Sequence, residues 1–275
     1  INIGEISSNQ ADALVTDTRF EPVESLIADD LDSTSLSDAR KLLINFESGP
    51  DNPLALASDL TSEIDGSAIE ESANENRGDY ILSFSGPNDS FSVSTNETFL
   101  GFFEKEFSAA AWVYLDEEPS PSEVMTVMRF GYHEGDNSEI LKWYWLGVVN
   151  DEDGLHLRFK VATEVQGEEE VIITLVTGEL FVSAAEWIHE TVGYSNIGEL
   201  KLYINGVRDN SNCDPCANES DEETVLINEV EVFVFGIGIL TGNSVANLIG
   251  SLDDLQIYNR ALTEDEVLEV YNTVY

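Results

Sequence analysis

The sequence predicts an all-β sandwich that ends in one short helix. From Leu42 onward, short segments rich in Val, Ile, Phe, Tyr and Thr alternate with clusters of Gly, Asn, Asp, Ser and Pro. Regular strands with turn signals between them, and with almost no helical periodicity, are typical of a sandwich. The composition agrees, because 42% of the 275 residues are apolar and 9% are aromatic, enough to bury a substantial core.

Residues 1–40 differ in composition from the rest and are predicted to be an acidic lead-in or linker. Their apolar clusters are short and do not sustain a helical period, apart from a short helix expected around residues 34–41. A separate functional domain is the less favoured alternative for this part. The sandwich domain is therefore expected to span residues 41–275.

The predicted strands follow one another along the whole domain. In GLHLRFKV (154–161), strict alternation places Leu155, Leu157 and Phe159 on one face. Asn205-Gly206 is a strong signal for a two-residue hairpin turn. The predicted strands are 42–46, 80–85, 107–115, 123–132, 154–163, 170–176, 187–195, 199–206, 230–237 and 248–258.

The last segment, ALTEDEVLEVYN (261–272), predicts the helix. Thr263 occupies the N-cap position and Glu266 follows three residues later, as in a capping box. Val267, Val270 and Tyr271 then recur at the spacing of one helical face.

The charge balance excludes several classes of partner. The chain carries 54 acidic and 12 basic residues, a net charge of −42 at pH 7. A phosphate backbone would be repelled, which excludes nucleic-acid binding as a main activity, and anionic membrane surfaces are disfavoured for the same reason. No segment approaches the roughly 18 apolar residues of a membrane span, so no membrane insertion is expected.

The two cysteines, Cys213 and Cys216, stand in a CxxC spacing. This spacing is found in redox pairs, in half zinc sites and in short loop-closing disulfides. No second cysteine pair completes a zinc site, and no helix pattern follows to lower a thiol pKa. We therefore expect a local disulfide in a surface loop, which indicates an oxidising extracellular or cell-surface location.

Four segments, in the expected order, resemble the laminin-G-like branch of the concanavalin A-like lectin/glucanase superfamily. The most specific, IGSLDDLQIYNRALTEDEVLEVYN, is similar to the closing signature of that branch. The others are similar to its paired strands with a Tyr-x-Asn-Gly hairpin, its central strand and its early strand pair. The resemblance implies a two-sheet antiparallel jelly roll over residues 42–275, although the insert 210–224 departs from the pattern. The four segments are residues 249–272, 187–207, 107–116 and 80–94.

Catalytic residues are not evident. Glucanases of the resembling fold place paired carboxylates on one strand, in the series Glu-x-Asp-x-(x)-Glu. The acidic runs here, at 151–153, 168–170 and 264–266, lie outside apolar alternating strands and are predicted to be solvated turns and helix caps. The three histidines are scattered, no basic group stands near a Ser or Cys nucleophile, and the chain is poor in the Arg and Lys that lyase chemistry needs.

Asp253 is the first candidate metal ligand. Within SLDDLQIY, alternation places it on the same face as Leu255 and Ile257, so its carboxylate is expected to point inward. A buried carboxylate needs a neutralising cation or a raised pKa. No Lys or Arg is close in sequence, although a distant one could reach it. An exposed edge position, or hydrogen bonding, is the alternative.

The resemblance implies a structural calcium ion at this acid. In the family, the ion is held by the last-strand acid, an acid at the end of the first strand and backbone carbonyls near a Gly turn. Carried over by position, these are Asp253, Glu47 and the Ser85-Gly86 region. Ligands that are all oxygen suit a hard cation such as Ca²⁺.

A candidate glycan surface lies around LKWYWLG (141–147). Alternation places Trp143 and Trp145 on one face and Tyr144 on the other, with Tyr132 in the preceding turn region. Because Trp at alternate positions is usually core, the edge formed by Tyr132 and Tyr144, with Trp143 beside it, is the predicted ligand-binding surface.

These observations predict a secreted or surface-exposed recognition module without catalytic activity. It is expected to be stabilised by calcium and to bind a polysaccharide or another glycan, or a surface protein. Two alternatives stay open: a glycan hydrolase or lyase whose acids come from separate strands, and a structural adhesion or spacer module of a larger surface protein.

Overall fold

Two β-sheets packed face to face account for most of the described chain. The computed structural model describes residues 35–47, 49, 61–66, 68–72, 77–86, 89–94, 106–121, 123–133, 140–165, 170–176, 182–194, 200–209, 212–213, 224–225, 232–235 and 245–273.

The first sheet has eight strands. They are β1 (Arg40–Ile44), β3 (Ala68–Glu71), β4 (Tyr80–Phe84), β6 (Phe107–Leu115), β11 (Trp187–Tyr194), β12 (Leu200–Ile204), β13 (Val207–Arg208) and β18 (Gly250–Tyr258). Their order is β13-β12-β11-β6-β18-β4-β3, and β1 pairs with β18 beside β4.

The second sheet has ten strands. They are β2 (Thr61–Asp65), β5 (Ser90–Ser94), β7 (Val124–His133), β8 (Ile140–Asp151), β9 (Gly154–Val165), β10 (Glu170–Val176), β14 (Asn212–Cys213), β15 (Thr224–Val225), β16 (Val232–Phe235) and β17 (Val245–Asn247). Their order is β14-β10-β9-β8-β7-β16-β5-β2, with β15 beside β9 and β17 beside β7. The β17–β7 pair is parallel, and the other described pairings of this sheet are antiparallel.

Aromatic side chains from both sheets fill the space between them. Phe107 of β6 meets Tyr144 of β8 with ring centroids 4.3 Å apart, and it also lies against Phe159 of β9. The alternation predicted for β9 is confirmed, because Leu155, Leu157 and Phe159 all belong to this core. Each residue of β9 between them therefore points away from the core.

The predicted two-residue hairpin is confirmed between β12 and β13. Asn205 and Gly206 both adopt positive φ, at 51° and 76°. This is the backbone of a type I′ turn, whose twist matches that of the flanking strands, and Asn-Gly is the pair that adopts it at least cost.

Two helices complete the described fold, α1 (Leu36–Ala39) and α2 (Glu264–Asn272). The predicted capping box is confirmed, because the Thr263 side chain accepts a hydrogen bond from the Glu266 amide and the Glu266 carboxylate accepts one from the Thr263 amide. Val267 and Val270 of α2 join Tyr203 and other buried residues in a second apolar cluster on the outer face of the first sheet. In the described part of the chain, no helix has the length and apolar character needed to cross a membrane.

The mostly β, two-sheet sandwich with a short C-terminal helix is therefore the predicted fold. Residues 36–275 form one compact unit. The short helix expected near residue 34 is found as α1. The predicted boundary between residues 40 and 41 stays a prediction, because residues 1–34 lie outside the described ranges.

Glu190 is an exception to the apolar character of the core. It lies in β11 opposite Ala111 and Ile204, two buried residues of neighbouring strands, and its side chain is fully buried. Neither carboxyl oxygen has a hydrogen-bond partner among the described residues. Burial raises the pKa of Glu190 to about 8, so the carboxyl is held protonated at neutral pH.

Replacing Glu190 with Gln should stabilise the protein at alkaline pH. The folded state binds the Glu190 proton more tightly than the unfolded state, so the free energy of unfolding falls as the pH rises from about 4.5 to about 8. Glu190→Gln removes this loss, and we expect a gain of roughly 2–4 kcal/mol at pH 9 and little gain at pH 5. Urea denaturation at both pH values measures it, with the exposed Glu117→Gln as control. An equal gain at both pH values would contradict the assignment.

Candidate functional site

A bulge in the last strand, β18, organises the site predicted to bind calcium. Up to Leu252 the strand pairs with β4, and from Leu255 onward it pairs with β1. Its register against β6 shifts between Asp253 and Gln256, and Asp254 adopts a φ of 47°. This left-handed conformation is one that Asp tolerates better than most residues, and it allows the extra residue of a bulge.

The bulge corrects the predicted direction of Asp253. Leu252 and Leu255 both belong to the core between the sheets, although alternation alone would separate them. Asp253 is in register with Trp112, whose neighbours along β6 face the core. Asp253 therefore lies on the outer face of the first sheet, and the predicted inward direction is wrong because the bulge breaks the two-residue period.

Asp253 and Asp254 are nevertheless buried, and Arg77 lies beside them. The Arg77 Nη1 atom is 3.6 Å from the Asp254 Oδ2 atom. The guanidinium carbon is 3.6 Å from the centroid of a Trp112 ring, which places the cation over the aromatic face. The distant basic residue that could neutralise this strand acid is thus Arg77.

Glu47 completes the acidic cluster from the segment after β1. Its carboxylate accepts hydrogen bonds from the amides of Asp79, at 2.9 Å, and Tyr80, at 3.4 Å. Gly78 permits this approach, because its φ is 70° and a Cβ there would lie 2.1 Å from a Glu47 oxygen.

Burial and the charge of neighbouring acids raise the pKa of both strand acids. Burial is the main cause for Asp253, followed by the charge of Asp254, and Glu47 adds to it, whereas the amide of Asp254 and the charge of Arg77 act in the opposite direction. Burial is also the main cause for Asp254, where Arg77 opposes it, Glu47 adds to it and Arg40 opposes it as well. Three carboxyl groups are thus opposed by two guanidinium groups, of which Arg40 acts on Asp254, so the acids outnumber the cations of the cluster.

The predicted carbonyl ligands lie in a different local arrangement. The amides of Ser85 and Gly86 donate to the Asp89 carboxylate at 2.8 and 2.7 Å. Within the described ranges, no three Asp, Glu, His or Cys side chains are grouped so that they could hold a metal ion. Calcium binding by Glu47, Ser85, Gly86 and Asp253 therefore stays a prediction.

The predicted glycan edge requires one correction. Tyr144 is fully buried between the sheets against Phe107, so it does not contribute to an exposed surface. The outer face of β8 is instead that of Trp145, which is itself buried and whose Nε1 donates to the Thr126 hydroxyl at 2.9 Å. The side chains of Tyr132 and Trp143 lie outside the described residues.

A half-buried aromatic pair lies on the outer face of the first sheet. Tyr114 of β6 and Trp187 of β11 are in register, with ring centroids 5.5 Å apart and planes at 48°. Ser251 of β18 is in register with Tyr114 on its other side. Both aromatics lie in strands predicted from the sequence, 107–115 and 187–195, but they are not among the predicted ligand-binding residues. Their alternation with the buried Val113 and Ile188 is the signal that separates them from the core.

The acidic runs have structural partners where they are described. Asp151 is the last residue of β8 and lies 3.1 Å from the His156 Nε2 atom, and Glu266 caps α2 and contacts Arg260. The predicted disulfide joins Cys213 and Cys216. Cys213 belongs to β14, but Cys216 lies outside the described ranges, so the disulfide stays a prediction.

The sandwich, its closing strand and its C-terminal helix define a concanavalin A-like lectin fold. The chain belongs to the Laminin_G_3 family of the concanavalin A-like lectin/glucanases superfamily, with residues 84–268 matching. No curated protein matches the chain.

Several solved binding domains of clostridial toxins share the fold. The binding domain of Paraclostridial Mosquitocidal Protein 1 superposes with a TM-score of 0.61 at 20% identity, over 86% of this chain and 53% of that one. The receptor binding domain of botulinum neurotoxin D gives 0.58 at 16%, over 86% and 53%. The binding domain of botulinum neurotoxin DC in complex with SialylT gives 0.58 at 16%, over 86% and 52%. The chain thus spans about half the length of these domains.

Removing Arg77 should destabilise the fold strongly near neutral pH. Arg77→Met leaves Asp253 buried without the cation that opposes its charge, and only Arg40 then acts on Asp254; breaking such a buried pair typically costs about 3–5 kcal/mol. The exposed pair of Arg208 and Glu264 provides the control, because Arg208→Met should cost less than about 1 kcal/mol. Denaturant unfolding at pH 7 compares the two, and equal costs would show that Arg77 has no neutralising role.

Proposed function

We propose that the chain is a non-catalytic extracellular recognition module that binds a glycan at the Tyr114–Trp187 pair. The observation that carries this proposal is the half-buried state of both rings on a sheet face whose neighbouring aromatics are covered by α2. Trp112, in the next outward position along β6, already lies against Tyr271 of that helix.

The pair has the chemistry that sugar recognition uses. Aromatic rings stack on the apolar C–H faces of sugars, and polar groups around them read the hydroxyls. Ser251 and Ser83 continue the same row across β18 and β4, so hydroxyl groups border the rings. Exposed Asp116 and Glu186 lie next in sequence to the strands that carry the pair and provide acceptors for sugar hydroxyls.

Structural similarity to solved binding domains favours recognition over catalysis as the function of this chain. The similar solved structures are binding domains, and one of them is in complex with SialylT. Of the described acids, Asp151 contacts His156, Glu266 caps α2, and Asp254 contacts Arg77. A hydrolase or lyase and an adhesion spacer are the competing functions.

We further propose that a structural calcium ion stabilises the module at Glu47, Asp253 and the Ser85-Gly86 region, as the family resemblance implies. The donors are all oxygen, which suits a hard divalent cation, and the carboxyl groups of Glu47, Asp253 and Asp254 outnumber the guanidinium groups of Arg77 and Arg40 that act on them. Such an ion would link the segment after the first strand of the domain to the last strand.

Loss of the aromatic pair should abolish glycan binding. Trp187→Ala and Tyr114→Ala remove the stacking surface, and we expect at least a tenfold loss of affinity for any glycan retained on an array. Trp187→Phe should keep part of it, and Val207→Ala, at another exposed apolar residue, should bind normally. If Trp187→Ala binds like the wild type, this surface is not the site. Glycan cleavage that depends on one acidic residue would favour the hydrolase or lyase.

Chelation should lower the melting midpoint by several degrees. Binding to the folded state alone adds about 2.7 kcal/mol when free calcium is a hundredfold above its Kd, and about 1 kcal/mol shifts the midpoint by about 2–4 °C in a domain of this size. Calcium should restore the midpoint, whereas sodium at equal ionic strength should not and magnesium should do so poorly. The response should be lost in Asp253→Asn and kept in the exposed Asp153→Asn. Identical responses of the wild type and Asp253→Asn would rule out this residue assignment.

A further inference from the structure

Three basic side chains converge on the outer face of the second sheet. Arg129 of β7, Trp145 of β8 and Lys160 of β9 are in register across three neighbouring strands. Arg158 lies two residues before Lys160 and is in register with Gly147, two residues after Trp145. Because side chains two residues apart share a face, these groups lie together on the side away from the core.

Trp145 and Arg129 form the floor of this cluster. Both are buried, and a Cβ at Gly147 would lie 2.3 Å from the Trp145 Cζ2 atom, so the indole lies along the sheet over that glycine. Lys160 and Arg158 are half-buried and form its accessible rim. The Lys160 Nζ atom is 5.5 Å from the centroid of a Trp145 ring, within the range of a cation–π contact.

The electrostatic environment of the cluster favours an anion. Burial lowers the pKa of Lys160, and the charge of Arg158 lowers it further. Burial lowers the pKa of Arg129 to about 10 and also lowers that of Arg158, which the charge of Asp151 only partly opposes. The Oδ1 atom of Asp151 also lies 3.1 Å from the Nε2 atom of His156, so this carboxylate has a second partner. The Nε atom of Arg158 is buried without a hydrogen-bond partner among the described residues, so this donor is unsatisfied.

We propose that this face binds a single carboxylate or sulfate group carried by a saccharide. Arg158 supplies the planar donor pair that matches either anion, and Lys160 supplies a second charge-assisted hydrogen bond. The anionic part of the inference rests on these cations, whereas the saccharide part rests on the proposed function.

A single anionic group fits better than a polyanion. The chain as a whole carries a charge of −42, so a densely charged polymer is repelled over most of its length. Screening limits charge interactions to about 8 Å at physiological ionic strength, so an isolated anionic group in contact with Arg158 and Lys160 experiences mainly these local cations.

The test titrates the whole chain with galacturonate, galactose and inorganic sulfate at constant ionic strength in chloride. The readout is the indole N–H resonance of Trp145, whose donor atom lies in the floor of the cluster. We expect sulfate and galacturonate to shift this resonance, and galacturonate to bind at least about tenfold more tightly than galactose. Arg158→Gln and Lys160→Gln should lose this preference, and Lys201→Gln, with the same change in net charge on the other sheet, should retain it.

Each other outcome overturns the inference in a recognisable way. No response to either anion, or an unchanged preference in Arg158→Gln and Lys160→Gln, removes the site. A response to sulfate without one to galacturonate overturns the saccharide assignment. Tighter binding of a densely sulfated polysaccharide than of galacturonate overturns the single-anion assignment. If Trp187→Ala abolishes galacturonate binding while Arg158→Gln does not, the acidic sugar binds at the aromatic pair, and the proposed function stands without the second site.

Discussion

The pairing of the last strand holds the first sheet together. β18 contacts β6 along one edge, and along the other it pairs first with β4 and then with β1, so strands from the beginning, middle and end of the domain meet on it. Pairing with both β4 and β1 along one edge of β18 requires the bulge at Asp253 and Asp254. The bulge in turn buries two adjacent carboxyl groups. Because they are buried, their pKa values respond to the charge of Arg77, which lowers them, and to that of Glu47, which raises them.

In two places of this acidic chain, burial beside an aromatic ring determines how a basic residue interacts with anions. Arg77 is enclosed between Trp112 and Asp254 on the first sheet, and Arg158 and Lys160 lie beside Trp145 on the second. In both places an aromatic face supports a cation whose hydration is reduced, which strengthens its interaction with an anion. The two clusters differ in the source of the anion that the cation contacts. The anion of the first cluster belongs to the strand itself, whereas the anion that we propose for the second cluster comes from a ligand.

Local sequence patterns predicted the elements well and the faces less reliably. The hairpin at Asn205, the cap at Thr263 and the alternation of β9 depend on neighbouring residues, and the structure confirms them. Alternation separates two faces of a strand, but it does not say which face is inward when both are buried, as in β8, where Tyr144 rather than Trp145 faces the core. It also fails at a bulge, and the pairing of Arg77 with Asp254 depends on long-range topology that no local pattern contains.

The two sites proposed on the first sheet occupy adjacent rows of one face. Trp187, Tyr114 and Ser251 form one row, and His189, Trp112 and Asp253 form the next, two residues further along each strand. Outward positions two residues apart are separated by about 7 Å along a strand. A cation that orders Asp253 therefore acts on strands that also carry the aromatic pair. Because coupling between two binding equilibria is reciprocal, any gain in glycan affinity from the cation must appear as an equal gain in cation affinity from the glycan.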